Sequence, residues 1–179
     1  MSLVRCTWAG DDPLYHQYHD REWGVPVHND KKLFEFLILE GMQAGLSWIT
    51  VLKKREAFRL AFDRFDYQKV VRYRQGKIDK LLENSDIIRN RLKIKAAVTN
   101  ARAFLEVRKE FGTFNKYIWA FGDYNPVQNS WKSFQELPAK TDLAETISKD
   151  LKKRGFSFVG PTIVYAHMQA TGMVNDHTT

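Results

Sequence analysis

Apolar residues recur along this chain at intervals of three and four, and strict polar/apolar alternation is almost absent, so the pattern predicts helices. Leu33, Phe36 and Leu37 share one helix face with Glu40, and Asn29 or Asp30 can cap a helix that runs to about Glu40. Ser47 can cap the next, from Trp48 to Phe62, with Trp48, Val51, Leu52, Phe58 and Phe62 on its inner face. A short helix is expected after Asp66 and another over Ile78 to Leu82. Asn84-Ser85-Asp86 reads as a tight turn into a long helix from about Ile87 to Lys109, burying Ile94, Ala97, Val98, Ala101, Phe104 and Leu105. Phe114 to Phe121 and Leu143 to Arg154 are further helices, separated by a polar surface connection from Tyr124 to Pro138. Gly160-Pro161 opens the last helix and Gly172 can end it. Residues 1–28 carry turn signals around an aromatic, His-bearing segment, Leu14 to His19. The expected fold is all-α, a single domain over 1–179 with no repeat, coiled coil or linker.

The segment from Glu40 to Trp48 departs most from a plain core pattern. Glu40 ends an otherwise apolar stripe, where a carboxylate costs several kcal/mol to desolvate without a partner or a cationic ligand. Gly41, Gly45, Leu46 and Trp48 follow, which suits a loop that presents side chains to a cationic planar ligand. A buried acid paired with an arginine or a helix N-terminus, beside a core tryptophan, is the structural alternative. Leu46, between Gly45 and Ser47, is harder to place in a core, and an apolar tip on a DNA-binding surface can enter the base stack.

Composition narrows the partners. The 179 residues include 44% hydrophobic and 13% aromatic side chains, enough for a real core, and the net charge of +7 fits a polyanion partner and a merely solvated basic surface equally well. One cysteine excludes an internal disulfide framework and suits a reducing, cytoplasmic setting. The longest apolar run, Phe36 to Leu39, is far too short to span a bilayer, and no secretory signal is visible.

Cys6 and His19 near one end and His177 near the other offer a thiolate and two imidazoles, ligand types zinc accepts, although three scattered residues also fit a lone buried cysteine with satisfied histidines. His16, His28 and His167 read as ordinary polar or packing residues. The turn from Asn84 to Arg91 has the outline of a helix-hairpin-helix, able to offer backbone N–H groups to a phosphate with Arg89 and Arg91 adding charge, or it is a simple connection. Lys152-Lys153-Arg154 complements a helix dipole. Phosphate-binding, dinucleotide, HExxH and nucleophile-elbow motifs are absent from the sequence.

Taken together, these blocks resemble the 3-methyladenine DNA glycosylase I family. The resemblance rests on Arg5-Cys6-x-Trp8, on Asp12-Pro13-Leu14-Tyr15-x-x-Tyr18-His19-Asp20-x-Glu22-Trp23-Gly24-Val25-Pro26, and on Leu39-Glu40-Gly41-x-Gln43-Ala44-Gly45-Leu46-Ser47-Trp48. It continues through Ile87-Ile88-Arg89, Lys93-Ile94, Asn100-Ala101, Lys153-Arg154-Gly155-Phe156-x-Phe158-x-Gly160-x-Thr162, Tyr165, Met168-Gln169-Ala170 and Val174-Asn175-Asp176-His177, in order over nearly the whole chain.

The resemblance implies a two-lobed helix-hairpin-helix glycosylase fold, a monomer acting on double-stranded DNA that contains alkylated adenine. The implied reaction is monofunctional hydrolysis of the bond between deoxyribose and 3-methyladenine by base flipping, leaving an abasic site. Glu40, expected as an ionised carboxylate, would recognise the cationic base, with Tyr18 and Trp48 as π faces and Tyr15 and Trp23 as walls. Leu46 would fill the gap left by the flipped nucleotide, with Gly45 allowing close approach. A zinc site of Cys6, His19 and His177 would join the two termini. The alternative to an enzyme is a non-catalytic helical DNA-binding module. Two departures from the family stand out. Its fourth zinc ligand, a cysteine a few residues past the position of His177, has no match before Thr179, so a water or another residue would complete the tetrahedron if the sequence is not truncated. Asp86 replaces the glycine usual in the hairpin turn, where a left-handed conformation and a nearby phosphate are both expected.

Overall fold

The computed structural model describes residues 3–178. Capping side chains decide where its helices begin. The Asp12 carboxylate accepts the Leu14 N–H, and Pro13 occupies the first turn of α1 (Pro13–Arg21). Asn29 accepts from Lys32 at the head of α2 (Asp30–Gln43). There follow α3 (Trp48–Lys53), α4 (Arg55–Ala61), α5 (Tyr67–Val70) and α6 (Gln75–Glu83). The series continues with α7 (Arg91–Phe111), α8 (Phe114–Ala120), α9 (Asp142–Lys153) and α10 (Pro161–Ala170). Asn90, Thr113 and Thr141 cap α7, α8 and α9 through their side chains.

Three boundaries differ from the periodic pattern. The Leu14 to His19 segment is helical, because Asp12 and Pro13 form an N-terminal signal that outweighs the flanking turn residues. The helix expected from Trp48 to Phe62 breaks at Lys54, and Ser47 bonds the Thr50 hydroxyl (2.7 Å) in place of a cap. The break lets Arg55 turn inward to Glu22 and Glu35. The long helix starts at Arg91, not Ile87, because the Asn90 side chain takes the Lys93 N–H and leaves 84–90 as a connection. On α7, Leu105 is only half-buried, whereas Ala103 and Val107 join the core.

Helix α2 forms the centre, with every residue from Leu33 to Met42 buried, so it is covered all round and not along one stripe. Helices α3, α7, α8 and α10 pack on it within one contiguous apolar cluster. The connection after α8 is less plain than its polarity suggests. It contains β1 (Val127–Gln128), which pairs in parallel with β2 (Val174–Asn175). The chain ends are laced together further by Val27 N–H to Thr171 O (2.8 Å) and Gly24 N–H to Gln169 O (2.9 Å). Gly172 makes this possible. At φ +70° its backbone runs so close to residues 25–26 that a Cβ would lie 2.2 Å from the Val25 carbonyl carbon. Among the described residues, no helix is long and apolar enough to cross a membrane.

Candidate active site

A cavity of about 230 Å³ opens where α1, α2, α3 and α10 meet. Tyr15 and Tyr18, three apart on α1, face it together with Trp23, and Glu40 and Gln43, three apart on α2, form another wall. Trp48 enters at the start of α3 and Gln169 from α10. The aromatic residues pack edge-on and tilted. Trp8 sits 5.2 Å from Tyr15 and 4.9 Å from Trp23 between ring centroids, and Tyr18 lies 5.4 Å from Trp48.

Glu40 is 4% exposed, and its Oε2 has no hydrogen-bond partner. The indole nitrogens of Trp8 and Trp48, which line the same cavity, are likewise buried without partners. Buried polar atoms are nearly always satisfied, so three orphans around one hollow point to a ligand. Burial pushes the Glu40 carboxyl up to about 8. At neutral pH burial favours its protonated form, because no cationic side chain offsets the desolvation, so the expected ionised carboxylate needs a cationic ligand. Burial, followed by the neighbouring Glu40, holds the Tyr18 phenol well above its ordinary value, so it stays neutral. A cationic planar ligand entering here gains ring faces and an acid that its own charge would ionise.

The Gly45–Leu46 tip lines an adjoining hollow of about 240 Å³ with Glu40, Gln43, Thr162 and Ile163. Gly45 has φ +81° and open space beside it, and Leu46 is 41% exposed. The buried Lys93 of α7 fixes this loop by donating to the carbonyls of Met42 (2.9 Å) and Ala44 (2.5 Å) at the end of α2. Arg89 and Arg91 are exposed on the connection and the head of α7, outside the cavity. Asp86 does not enter the left-handed region. The Asn84 side chain accepts its N–H (2.9 Å), so an Asx turn replaces the expected glycine-like geometry. Lys54 Nζ donates to the carbonyls of Ser85 and Asp86 at 3.4 and 3.3 Å.

Cys6, His19 and His177 meet, with their ligand atoms within 4.8 Å of one another. His19 Nδ1 is 2.9 Å from Asp20 Oδ1, and Arg5 grips that carboxylate. His177 Nε2 is 2.9 Å from the Trp23 carbonyl, which leaves Nδ1 facing Cys6 Sγ at 3.9 Å. Outer partners of this kind orient imidazoles toward a metal. Burial raises the thiol, but hydrogen bonds led by those from His177 and Thr178 bring it down to about 6. By contrast, His16 meets the Gly10 carbonyl, His28 the Asn115 side chain and buried His167 the Leu33 carbonyl.

The cavity thus gathers Tyr15, Tyr18, Trp23, Glu40 and Trp48, and sets Gly45 and Leu46 at its edge. Sequence reasoning missed Trp8, Gln43, Phe134, Leu137, Ala166 and Gln169 as lining residues. Phe134 and Leu137 lie in the polar connection. Trp8, Gln43 and Gln169 fall inside the matched blocks, which was the available signal.

Residues 8–179 match the methyladenine glycosylase family. DNA-3-methyladenine glycosylase 1 of Escherichia coli (strain K12) is 49% identical over 175 residues, 98% of this chain and 94% of that protein. A crystal structure of 3-methyladenine DNA glycosylase I is similar at TM-score 0.96 and 48% identity, covering 98% of this chain and 97% of that one. A tyrosine-to-phenylalanine variant of a 3-methyladenine DNA glycosylase I, solved in complex with 3-methyladenine, is similar at TM-score 0.94 and 35% identity, covering 98% and 94%. The aromatic cavity, its unpartnered acid and these likenesses agree, and the chain belongs to the methyladenine glycosylase family.

Proposed function

We propose that this protein is a base-excision repair glycosylase that hydrolyses the N-glycosidic bond of 3-methyladenine in alkylated DNA. The observation that carries this reading is Glu40, buried without a partner at the wall of an aromatic cavity. Methylation at N3 makes the base cationic and weakens its glycosidic bond. The base departs neutral, so no acid has to protonate it.

In the cavity, Tyr18 and Trp48 offer ring faces to the cation, worth about 0.5–2 kcal/mol each depending on desolvation. Tyr15 and Trp23 complete the walls. The cation favours the ionised form of Glu40, whose proton is released to solvent water as the base enters, and the resulting carboxylate holds the base and supports positive charge as the sugar becomes oxocarbenium-like and water attacks. Glu40 is a recognition and electrostatic residue here, and no side chain is assigned as general base. Normal adenine brings no charge to ionise Glu40 and keeps a strong glycosidic bond.

On the DNA side, exposed Leu46 takes the place of the flipped nucleotide, and Gly45 lets the backbone approach the strand. The α6–α7 connection acts as a helix-hairpin-helix, with Arg89 and Arg91 on the phosphates of a double-stranded substrate bound by a monomer in the cytoplasm. The two helical lobes of the glycosylase fold share this pocket. Cys6, His19 and His177 suit a structural zinc ion, whose chemistry would be to tie the chain ends together, with a fourth ligand from elsewhere. Cys6→Ser should then lower both the zinc content by metal analysis and the melting temperature; unchanged zinc content would rule the site out.

The deciding experiment is incubation with methylated duplex DNA. Free 3-methyladenine and alkali-labile abasic sites are expected, with binding that weakens steeply as salt rises. Tight binding without base release would favour a non-catalytic DNA-binding module.

A further inference from the structure

The segment between β1 and α9 forms one wall of the cavity, and Phe134 and Leu137 are its contribution. The other walls belong to the N-terminal segment and to α1, α2, α3 and α10, set by burial in the common core. Phe134 is different: it is 45% exposed, on a single 3₁₀ turn (Phe134–Glu136) closed by Leu137 N–H to Phe134 O and by the Lys132 N–H on the Glu136 carboxylate. Its ring stands at the mouth of the hollow, where it faces whatever enters.

A polar latch holds this strap. Asp176 is fully buried, and its two oxygens take four hydrogen bonds. Oδ1 accepts from Asn129 Nδ2 (2.7 Å) and Trp131 Nε1 (2.8 Å) on the strap, and Oδ2 accepts from Gln169 Nε2 (2.9 Å) and the Tyr165 hydroxyl on α10. Four bonds saturate a carboxylate. The same residue therefore holds the strap and, through one of the two amide N–H groups of Gln169, fixes the orientation of a lining side chain.

We propose that the Asn129–Leu137 strap, latched by Asp176, determines which alkylated purine the pocket admits, with Phe134 as the specificity-determining side chain and Asp176 as its positioning residue. This rests on the glycosylase reading above. A flipped base held by Glu40 and Trp48 meets the strap with its remaining edge, so the strap limits the alkyl group or ring substituent the pocket accepts. An apolar wall of this kind separates substrates by about 10–200-fold per methylene.

The test compares kcat/KM for 3-ethyladenine and 3-methyladenine in duplex DNA. Phe134→Ala, at an exposed site, should keep the wild-type melting temperature and raise the ethyl-to-methyl ratio about tenfold or more. Trp131→Phe keeps a ring but removes one latch bond, and should move the ratio the same way by less. A ratio unchanged in both variants, or equal losses on both substrates, overturns the proposal. A wild-type protein that releases no methylated purine overturns the glycosylase reading instead, so the two failures are distinguishable.

Discussion

Helix α2 carries two buried carboxylates five residues apart, and they are opposites. Glu35 is 8% exposed and accepts from Arg55 Nε and Arg59 Nε, each at 2.8 Å, while Arg55 also donates to both oxygens of Glu22 at 2.9 Å. Glu40 is 4% exposed, with no cation and an orphaned oxygen. Glu35 is the structural acid, its burial offset by guanidinium partners. Glu40 is left with its desolvation uncompensated, and its carboxyl rises to about 8 as a result. Burial is common to both. Partnership separates them, and the uncompensated acid is the one facing a cavity.

Substitution of each acid should separate function from stability. Glu40→Gln is expected to lower single-turnover release of 3-methyladenine by about 10²–10³-fold, the scale of losing one electrostatic stabiliser, with melting unchanged or raised. Near-normal release from a folded variant would end the recognition role. Glu35→Gln should do the reverse, costing about 3 kcal/mol in denaturant unfolding by stripping a buried arginine of one partner, while the folded fraction keeps its activity. Lys93→Met sits between the two. Removing the cap on Met42 and Ala44 should cost about 1–3 kcal/mol and weaken binding to abasic duplex DNA, yet leave binding of free 3-methyladenine in place. Equal loss of both would show that Lys93 supports the whole site and not the Leu46 loop.

A pH slope tests the same uncompensated burial. The folded value of Glu40 lies above its unfolded one, so its favourable contribution is complete below pH 4.5 and is lost as pH rises toward about 8. Wild-type stability should decline across that window relative to Glu40→Gln. Parallel stability curves would mean that Glu40 is not desolvated in solution.

Much of this was legible in the residues. Spacing located α2, α6 and α9, Gly160-Pro161 marked the start of α10, and the helix starts after Asn29 and Asp66 agree with the caps observed there. The Glu40–Trp48 segment stood out because an acid on an apolar stripe is costly. Glu35 did not stand out, since it lies off the Leu33–Phe36–Leu37–Glu40 face and reads as a solvent residue. It is buried because α2 is covered on all sides, a matter of what packs on it. Phe134 and Leu137 were hidden for a similar reason: nothing in a polar connection marks the residues that will fold back over a distant cavity.

By itself, the sequence determined the helical class, most helix starts, the family and the short list of unusual side chains, because propensity, capping and apolar spacing act between near neighbours. The tertiary structure alone decided which buried acid is satisfied and which is free and that a surface segment walls the pocket, and it brings together Cys6, His19 and His177, which the family resemblance had already grouped. Those outcomes depend on contacts between residues as far apart as 6 and 177, and desolvation and hydrogen-bond satisfaction are properties of the packed whole.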